Sequence, residues 1–410
     1  MHSRPSLRSG GQFTTFVATV VVCLFAVMPF GAAWIVARGQ TAASTHLSGS
    51  RRQLPLTTFY DTPKPLPAGK AGELIRSEPI DEYYLSADFS AFRILYHSRS
   101  ASGQDVAASG VVLEPEGRPP ARGWPVIAWA HGFTGAARQC APSLLRNLYY
   151  GPFLSMYLNL GYAVVAADYT GLGTDSRSAV LDVSSDASDV IYSIAAAHAA
   201  IPQLGSKWVA MGPSLGGNVA VGVAEMEGAI RDSNFLGSIA ISGMADLKDI
   251  YERRSNQKSS QMLEFVAYAV KTAYPDFNLR DMLTEKALAA YQQVDETCSS
   301  LDNGPAVSAN EMVKENWQKN EFVVKFLGRN VLGQKPAYGP ILVISGEVDP
   351  DGLAAMSKST VDRMCKQGDR VQFDKLPESQ TGMVIGDSVR DQMAWIDARL
   401  AGRNATSNCQ

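Results

Sequence analysis

Between an apolar run at 207–211 and a small-residue helical pattern at 216–227 stands the pentapeptide Gly212-Pro213-Ser214-Leu215-Gly216. A chain that passes from strand to helix through one serine must turn sharply there. The turn tolerates no bulky neighbours, and Gly212, Gly216 and Gly217 meet that demand. It also leaves the serine at a helix N-terminus, whose free N–H groups favour developing negative charge. A bare G-x-S-x-G is common by chance, and without its flanks Ser214 would read as a plain turn serine. With a strand before it and a helix after it, the pattern asks for a sheet covered by helices.

The rest of the chain supplies that sheet. Short apolar or β-branched runs at 92–97, 107–113, 126–130, 163–167, 208–211, 238–241, 341–344 and 371–373 give eight strands, with helical patterns between them. Several are continuously apolar, as strands covered on both faces should be, so the sheet is expected to be mostly parallel. The expected core is 75–242 plus 339–410. Residues 243–338 interrupt the rhythm. They are strand-poor and place Leu263, Val266, Ala267 and Val270 at helical spacing, which predicts a helical cap inserted before the last two strands. After Leu376, the residues Ile385, Val389, Met393, Ile396 and Leu400 predict the core-facing stripe of a last helix. Residues 41–74 contain Pro63, Pro65 and Pro67 among Ser, Thr and Gly, and are expected to be a linker.

Two more loops fall at strand ends. His131-Gly132-Phe133-Thr134-Gly135 follows the strand 126–130. It can offer the backbone N–H of Phe133 or Thr134, beside that of Leu215, to an oxyanion, each donor being worth about 3 to 4 kcal/mol in related chemistry. The alternative is an ordinary glycine turn. The segment 345–352 follows the strand 341–344 and carries three acids, of which Asp349 is preferred over Glu347 and Asp351 as the acidic member of a triad. Asp168 also ends a strand but precedes Ser214, so it is read as structural, holding a loop near the site mouth.

The ordered set 131–135 with Cys140-Ala141-Pro142-Ser143, then 167–173, 212–217 and 346–349, resembles the secretory lipase family of α/β hydrolases from about Ile75 to the C-terminus. The resemblance implies an α/β-hydrolase fold, hydrolysis of carboxylic esters through Ser214, a helical lid over an apolar acyl pocket, and no cofactor or metal. It also places the catalytic histidine in the loop after the last strand. There the chain has Gln380. None of its five histidines, His2, His46, His97, His131 and His198, follows Asp349. An amide has no basic nitrogen near neutral pH, and losing the base of a triad costs about 10⁶-fold in turnover, roughly 8 to 9 kcal/mol. Bracing the oxyanion loop is the preferred reading of His131 over a substitute base. His97 and His198 are read as structural, and Glu378 would act as a weak base only if burial raised its pKa.

Two functions from different classes therefore compete. One is an exported serine ester hydrolase, slowed by the missing base. The other is a hydrolase fold that binds an apolar or acyl ligand without turning it over. A third case is a glutamine peculiar to this copy of an intact enzyme. A peptidase is disfavoured, since no acidic clamp for a peptide amine is apparent.

Compartment and partners follow from the termini, the cysteines and the charge. Arg4 and Arg8 precede an apolar run over 13–37, an export element for a secreted or periplasmic protein. A cleaved signal within residues 1–40 is favoured over an uncleaved anchor. Beyond Cys23 stand Cys140, Cys298, Cys365 and Cys409, an even number suited to two disulfides. Of three pairings, Cys140–Cys298 with Cys365–Cys409 is preferred, the second because it ties the C-terminal tail to the domain, and the resemblance implies the same order. A net charge of −3 argues against a nucleic-acid partner. The expected partner is a small-molecule ester or lipid, with contact to a lipid interface, for a monomer or small oligomer.

Overall fold

The computed structural model describes residues 53–243, 246–248, 260–296, 298, 309–348 and 352–409. The apolar segment 13–37 and the acids Asp349 and Asp351 lie outside the described residues.

Nine strands form one sheet: β1 (Leu74–Ile80), β2 (Phe89–Arg99), β3 (Asp105–Pro115), β4 (Trp124–Trp129), β5 (Ala163–Ala167), β6 (Leu204–Pro213), β7 (Phe235–Ile241), β8 (Ile341–Val348) and β9 (Val371–Gln380). They lie in the order β1-β2-β3-β5-β4-β6-β7-β8-β9. From β5 to β9 every pair is parallel, and β1, β2 and β3 extend the sheet antiparallel. This is a doubly covered α/β-hydrolase sheet.

Side-chain alternation explains the continuous apolar runs. In β5, Ala163, Val165 and Ala167 enter one core layer, while Val164 and Ala166 enter the other. In β4, Val126 and Ala128 face the first layer, and Ile127 and Trp129 the second. Helices α1 (Gly151–Asn159), α2 (Val183–Ala200) and α3 (Leu215–Ile230) cover the middle strands. α2 and α3 fill the first layer with Val190, Ile194, Val219 and Val223, and α1 fills the second with Leu154, Tyr157 and Leu158. Each valine buried in this way contributes about 1.5 to 3 kcal/mol.

All eight expected strands are present, and the ninth is β1. Its exposure alternates imperfectly, and it contains Pro79, tolerated because β1 is an edge strand. β9 is longer than expected. Lys375 and Leu376 pair with Ser345 and Gly346, and the strand continues to Gln380 opposite Val348. The missing side chain at Gly346 permits this, since a Cβ there would stand 2.3 Å from the Ser379 carbonyl oxygen.

Between β7 and β8 the described residues are helical: α4 (Ser260–Ala273), α5 (Glu285–Tyr291), α6 (Ala309–Met312) and α7 (Glu321–Arg329). Leu263, Val266, Ala267 and Val270 are buried in a separate apolar cluster with Phe277, Met282 and Phe326. α8 (Leu353–Lys366) joins β8 to β9.

The expected last helix is two, α9 (Val384–Asp387) and α10 (Val389–Leu400), divided at Ser388, whose hydroxyl donates to the Val384 carbonyl. The division turns the stripe, so that Trp395 and Ile396 are buried and Leu400 is exposed. Within the stretch expected as a linker, Leu54 and Tyr60 are buried, and the Arg76 guanidinium donates to the Phe59 carbonyl. Residues 53–73 are thus packed on the domain rather than extended from it. The cysteines pair as Cys140–Cys298 and Cys365–Cys409.

Candidate active site

Ser214 follows β6 directly and precedes α3, with φ 54° and ψ −124°, a left-handed backbone that costs an L-residue of order 1 to 3 kcal/mol. The surroundings hold it there. Its N–H donates to the Ile241 carbonyl at 2.8 Å, and its own carbonyl accepts from Gly217 at 2.9 Å. A Cβ on Gly212 or Gly216 would lie 2.1 or 2.0 Å from the Ala130 carbonyl oxygen, so both positions require glycine for close approach. The serine side chain emerges exposed.

The loop after β4 lies against this turn. A Cβ on Gly132 would stand 3.7 Å from the Ser214 Cβ and 2.5 Å from the Tyr150 hydroxyl. Phe133, Thr134 and Leu215 line one small cavity with His131, Tyr169 and Asp186, so the structure brings together the loop and the helix start as expected from sequence. Leu215 opens α3, where backbone N–H groups have no intrahelical acceptor. Above them Phe133 meets Phe265 of α4 edge-on at 4.7 Å, and the cap cluster includes Phe133, Val180 and Leu181 with Leu215 packed against it. The apolar cluster of the helices between β7 and β8 is therefore continuous with the loop 131–135 and Leu215.

His131 is buried under this loop. Its Nδ1 lies 2.6 Å from the Gly132 carbonyl oxygen and its Nε2 3.0 Å from that of Asp168, with Tyr169 stacked on the ring at 4.1 Å. Burial drives its pKa down to about 4. It braces the backbone and offers no free nitrogen to Ser214. Asp168, also buried, accepts from the Ser109 hydroxyl at 2.7 Å and from the Ser143 N–H at 2.9 Å, fixing the loop that carries Cys140. Its carboxyl is pushed up to about 6 by burial, against the pull of those donors.

The opposite side of the site differs. Gln380 ends β9 and is exposed. The next residue, Thr381, accepts at its carbonyl from the Ser242 hydroxyl at 2.8 Å, and Gly243 beyond it packs on the Ser214 carbonyl. The residue after Gln380 thus touches the segment that packs on Ser214. Glu347 is exposed and pairs with Lys375 at 3.9 Å. Glu378 is exposed on β9, without the burial a base there would need. His97 is buried against Asp105 at 3.1 Å, and the pKa of His198 is lowered by burial in α2. Among the described residues, no cluster of His, Cys, Asp and Glu is arranged to hold a metal ion.

The model of the secretory lipases matches residues 150–408. The chain belongs to the secretory lipase family. That membership places it among carboxylic-ester hydrolases and lipase-like hydrolases in particular. Lipase 6 of Candida albicans is 23% identical over 404 residues, with 86% of this chain and 82% of the relative covered. Among solved structures, Candida antarctica lipase A superposes with a TM-score of 0.74 at 16% identity, covering 87% of this chain and 89% of that one. The cell wall degrading esterase LipA of Xanthomonas oryzae gives 0.69 at 17%, covering 82% of this chain and all of its own. The secretory lipase fold is thus shared at low identity.

Sequence reasoning missed Asp186 and Asp189 of α2, both buried beside the site loops. The only local hint was their helix, which also carries Val183, Ala187 and Val190 of the core, and it does not tell a buried aspartate from a solvent-facing one. Asp189 accepts from the Thr170 N–H at 2.6 Å, and burial raises its carboxyl to about 7. Asp186 is taken up below.

Proposed function

We propose that this secretory lipase is an exported serine ester hydrolase with Ser214 as nucleophile and Asp349 as the acid of its triad. Backbone N–H groups of Leu215 and of Phe133 or Thr134 receive the oxyanion. The observation that carries the reading is the exposed, left-handed Ser214 between β6 and α3, with Gly132 against its Cβ. A serine kept at that conformational cost beside this loop supports a role in attack on a carbonyl. The substrate is a small-molecule ester or lipid whose acyl chain lies against Phe133, Leu215 and the cap.

Gln380 sets the rate. It leaves no group at that position to take the Ser214 proton or return it to the leaving alcohol, so turnover rests on the oxyanion donors and binding. The same residue favours one second reading, a hydrolase fold that captures acyl ligands without hydrolysis. Release of nitrophenol from short and medium acyl esters, compared among the parent, Ser214→Ala and Gln380→His, separates the two. Slow release abolished by Ser214→Ala supports the hydrolase. Folded parent and folded Gln380→His that are both silent would leave the binder.

A further inference from the structure

Three acids of the α2 region, Asp182, Asp186 and Asp189, recur at one and then just under one helical turn, and all are buried. Two have partners. Asp182 pairs with Arg329, and Asp189 accepts from Ser98 and Thr170. Asp186 is different, because neither of its carboxyl oxygens meets a hydrogen-bond partner in the protein. It lines the small cavity that also borders Phe133, Thr134 and Leu215. The Thr134 hydroxyl, on a residue 6% exposed, is likewise buried without a partner at that cavity. The cavity has a volume of about 10 Å³, room for a single water or hydroxyl group.

We propose that Asp186 and the Thr134 hydroxyl form a subsite for one hydroxyl group of the substrate, so that the preferred esters are those of 2- or 3-hydroxy fatty acids. The inference rests on the ester-hydrolase reading of Ser214. Burial, reinforced by the neighbouring Asp189 and Asp182, pushes the Asp186 carboxyl well above the ordinary carboxylate range. A carboxyl accepts in either protonation state, and a threonine hydroxyl both donates and accepts. Their natural complement is a group that does both, which a hydroxyl does and a cation or carboxylate does not. Its position along the acyl chain follows from the lining. The cavity touches the residues that would hold the carbonyl oxygen, so the hydroxyl belongs within a bond or two of that carbonyl. The remaining lining, Phe133, Val180, Leu181 and Leu215, is apolar. Leaving two buried polar groups without partners is costly, and a bound hydroxyl relieves that cost.

The test uses full-length Ser214→Ala protein, in which no turnover through Ser214 occurs. Methyl octanoate, methyl 2-hydroxyoctanoate and methyl 3-hydroxyoctanoate are titrated by calorimetry. One hydroxylated ester should bind at least about tenfold more tightly than the plain one. Asp186→Asn, which still donates and accepts, should keep that preference, and Asp186→Leu should lose it. If Asp186→Leu does not fold, the comparison of esters on Ser214→Ala decides by itself. Equal affinity for all three would make the cavity a water site and overturn the subsite while leaving the acyl pocket standing. Binding of none would overturn the ester reading along with it.

Discussion

The two halves of the candidate site are built to different standards. On the side of β4 and β6, Ser214, the loop 131–135 and the start of α3 are locked by backbone contacts that admit no Cβ, over a buried His131 and Asp168. On the side of β8 and β9, Gln380, Glu378 and Glu347 are exposed. In the proposed reading the first half would present the nucleophile and stabilise charge, and the second would move a proton. On the proposed reading the difference separates two contributions that an intact triad combines, polarisation of the ester and proton transfer, with only the first kept.

The largest test of that contrast restores the base. Gln380→His should raise turnover of nitrophenyl esters by at least about 10³-fold, toward the roughly 10⁶ that a triad base contributes. The gain should vanish in the double variant with Ser214→Ala. A gain below tenfold in folded protein would mean that the β9 side is displaced from the serine as well as lacking its imidazole.

A stability comparison probes the same asymmetry without chemistry. Gly216→Ala drives a Cβ to 2.0 Å from the Ala130 carbonyl, backbone against backbone, and should lower the unfolding free energy by about 3 kcal/mol or more. Gly382→Ala, two residues past Gln380, meets nothing within 4 Å and should change it by less than about 0.5 kcal/mol. Urea unfolding of both, at constant slope, measures the difference.

The first half was legible in the sequence because its constraints are local. Glycines at 212, 216 and 217 and an apolar strand before the serine must lie close in the chain to make the turn, so the turn could be read from them. The loop 131–135 is legible from its place after an apolar strand, and the pairing of Cys140 with Cys298 from the even cysteine count, with the family resemblance implying the same order. What escaped depended on distant partners. β1 is an edge strand whose pairing with β2 no local pattern announces, and β9 outran its expected end because Gly346, on another strand, accepts its backbone. Asp186 escaped for the same reason: an aspartate in a helix reads as solvent-facing until the helix is packed.

Acid should expose the buried half. The imidazole of His131 titrates near 6.5 in an unfolded chain and at about 4 in the fold. Between those values the unfolded chain takes up a proton that the native state refuses, so this residue's contribution to stability is complete above pH 6.5 and lost as pH falls toward 4. The loss amounts to about 3 kcal/mol at 1.36 per unit. Asp168 and Asp189, raised to about 6 and 7, act in the opposite sense and stabilise the fold as pH falls through those values. The His131 contribution is therefore measured as a difference. The stability of the parent minus that of His131→Gln should fall by up to about 3 kcal/mol from pH 7 to pH 4. A flat difference would mean that the ring is protonated in the native state, with Nδ1 and Nε2 donating to the two carbonyls together.

The smallest expected effect tests whether the exposed half holds a hidden base. Glu378 stands two residues before Gln380, on the strand that carries the position of the missing histidine. Its side chain is exposed to water, whereas a general base must be held within hydrogen-bond reach of the proton it takes. Glu378→Gln should then change the residual esterase rate of the parent by less than about twofold, since removing a general base of consequence costs 10² or more. A hundredfold fall would instead locate proton transfer at Glu378 and make the β9 side a rebuilt catalytic half, with the exposed acid drawn under the cap when substrate binds.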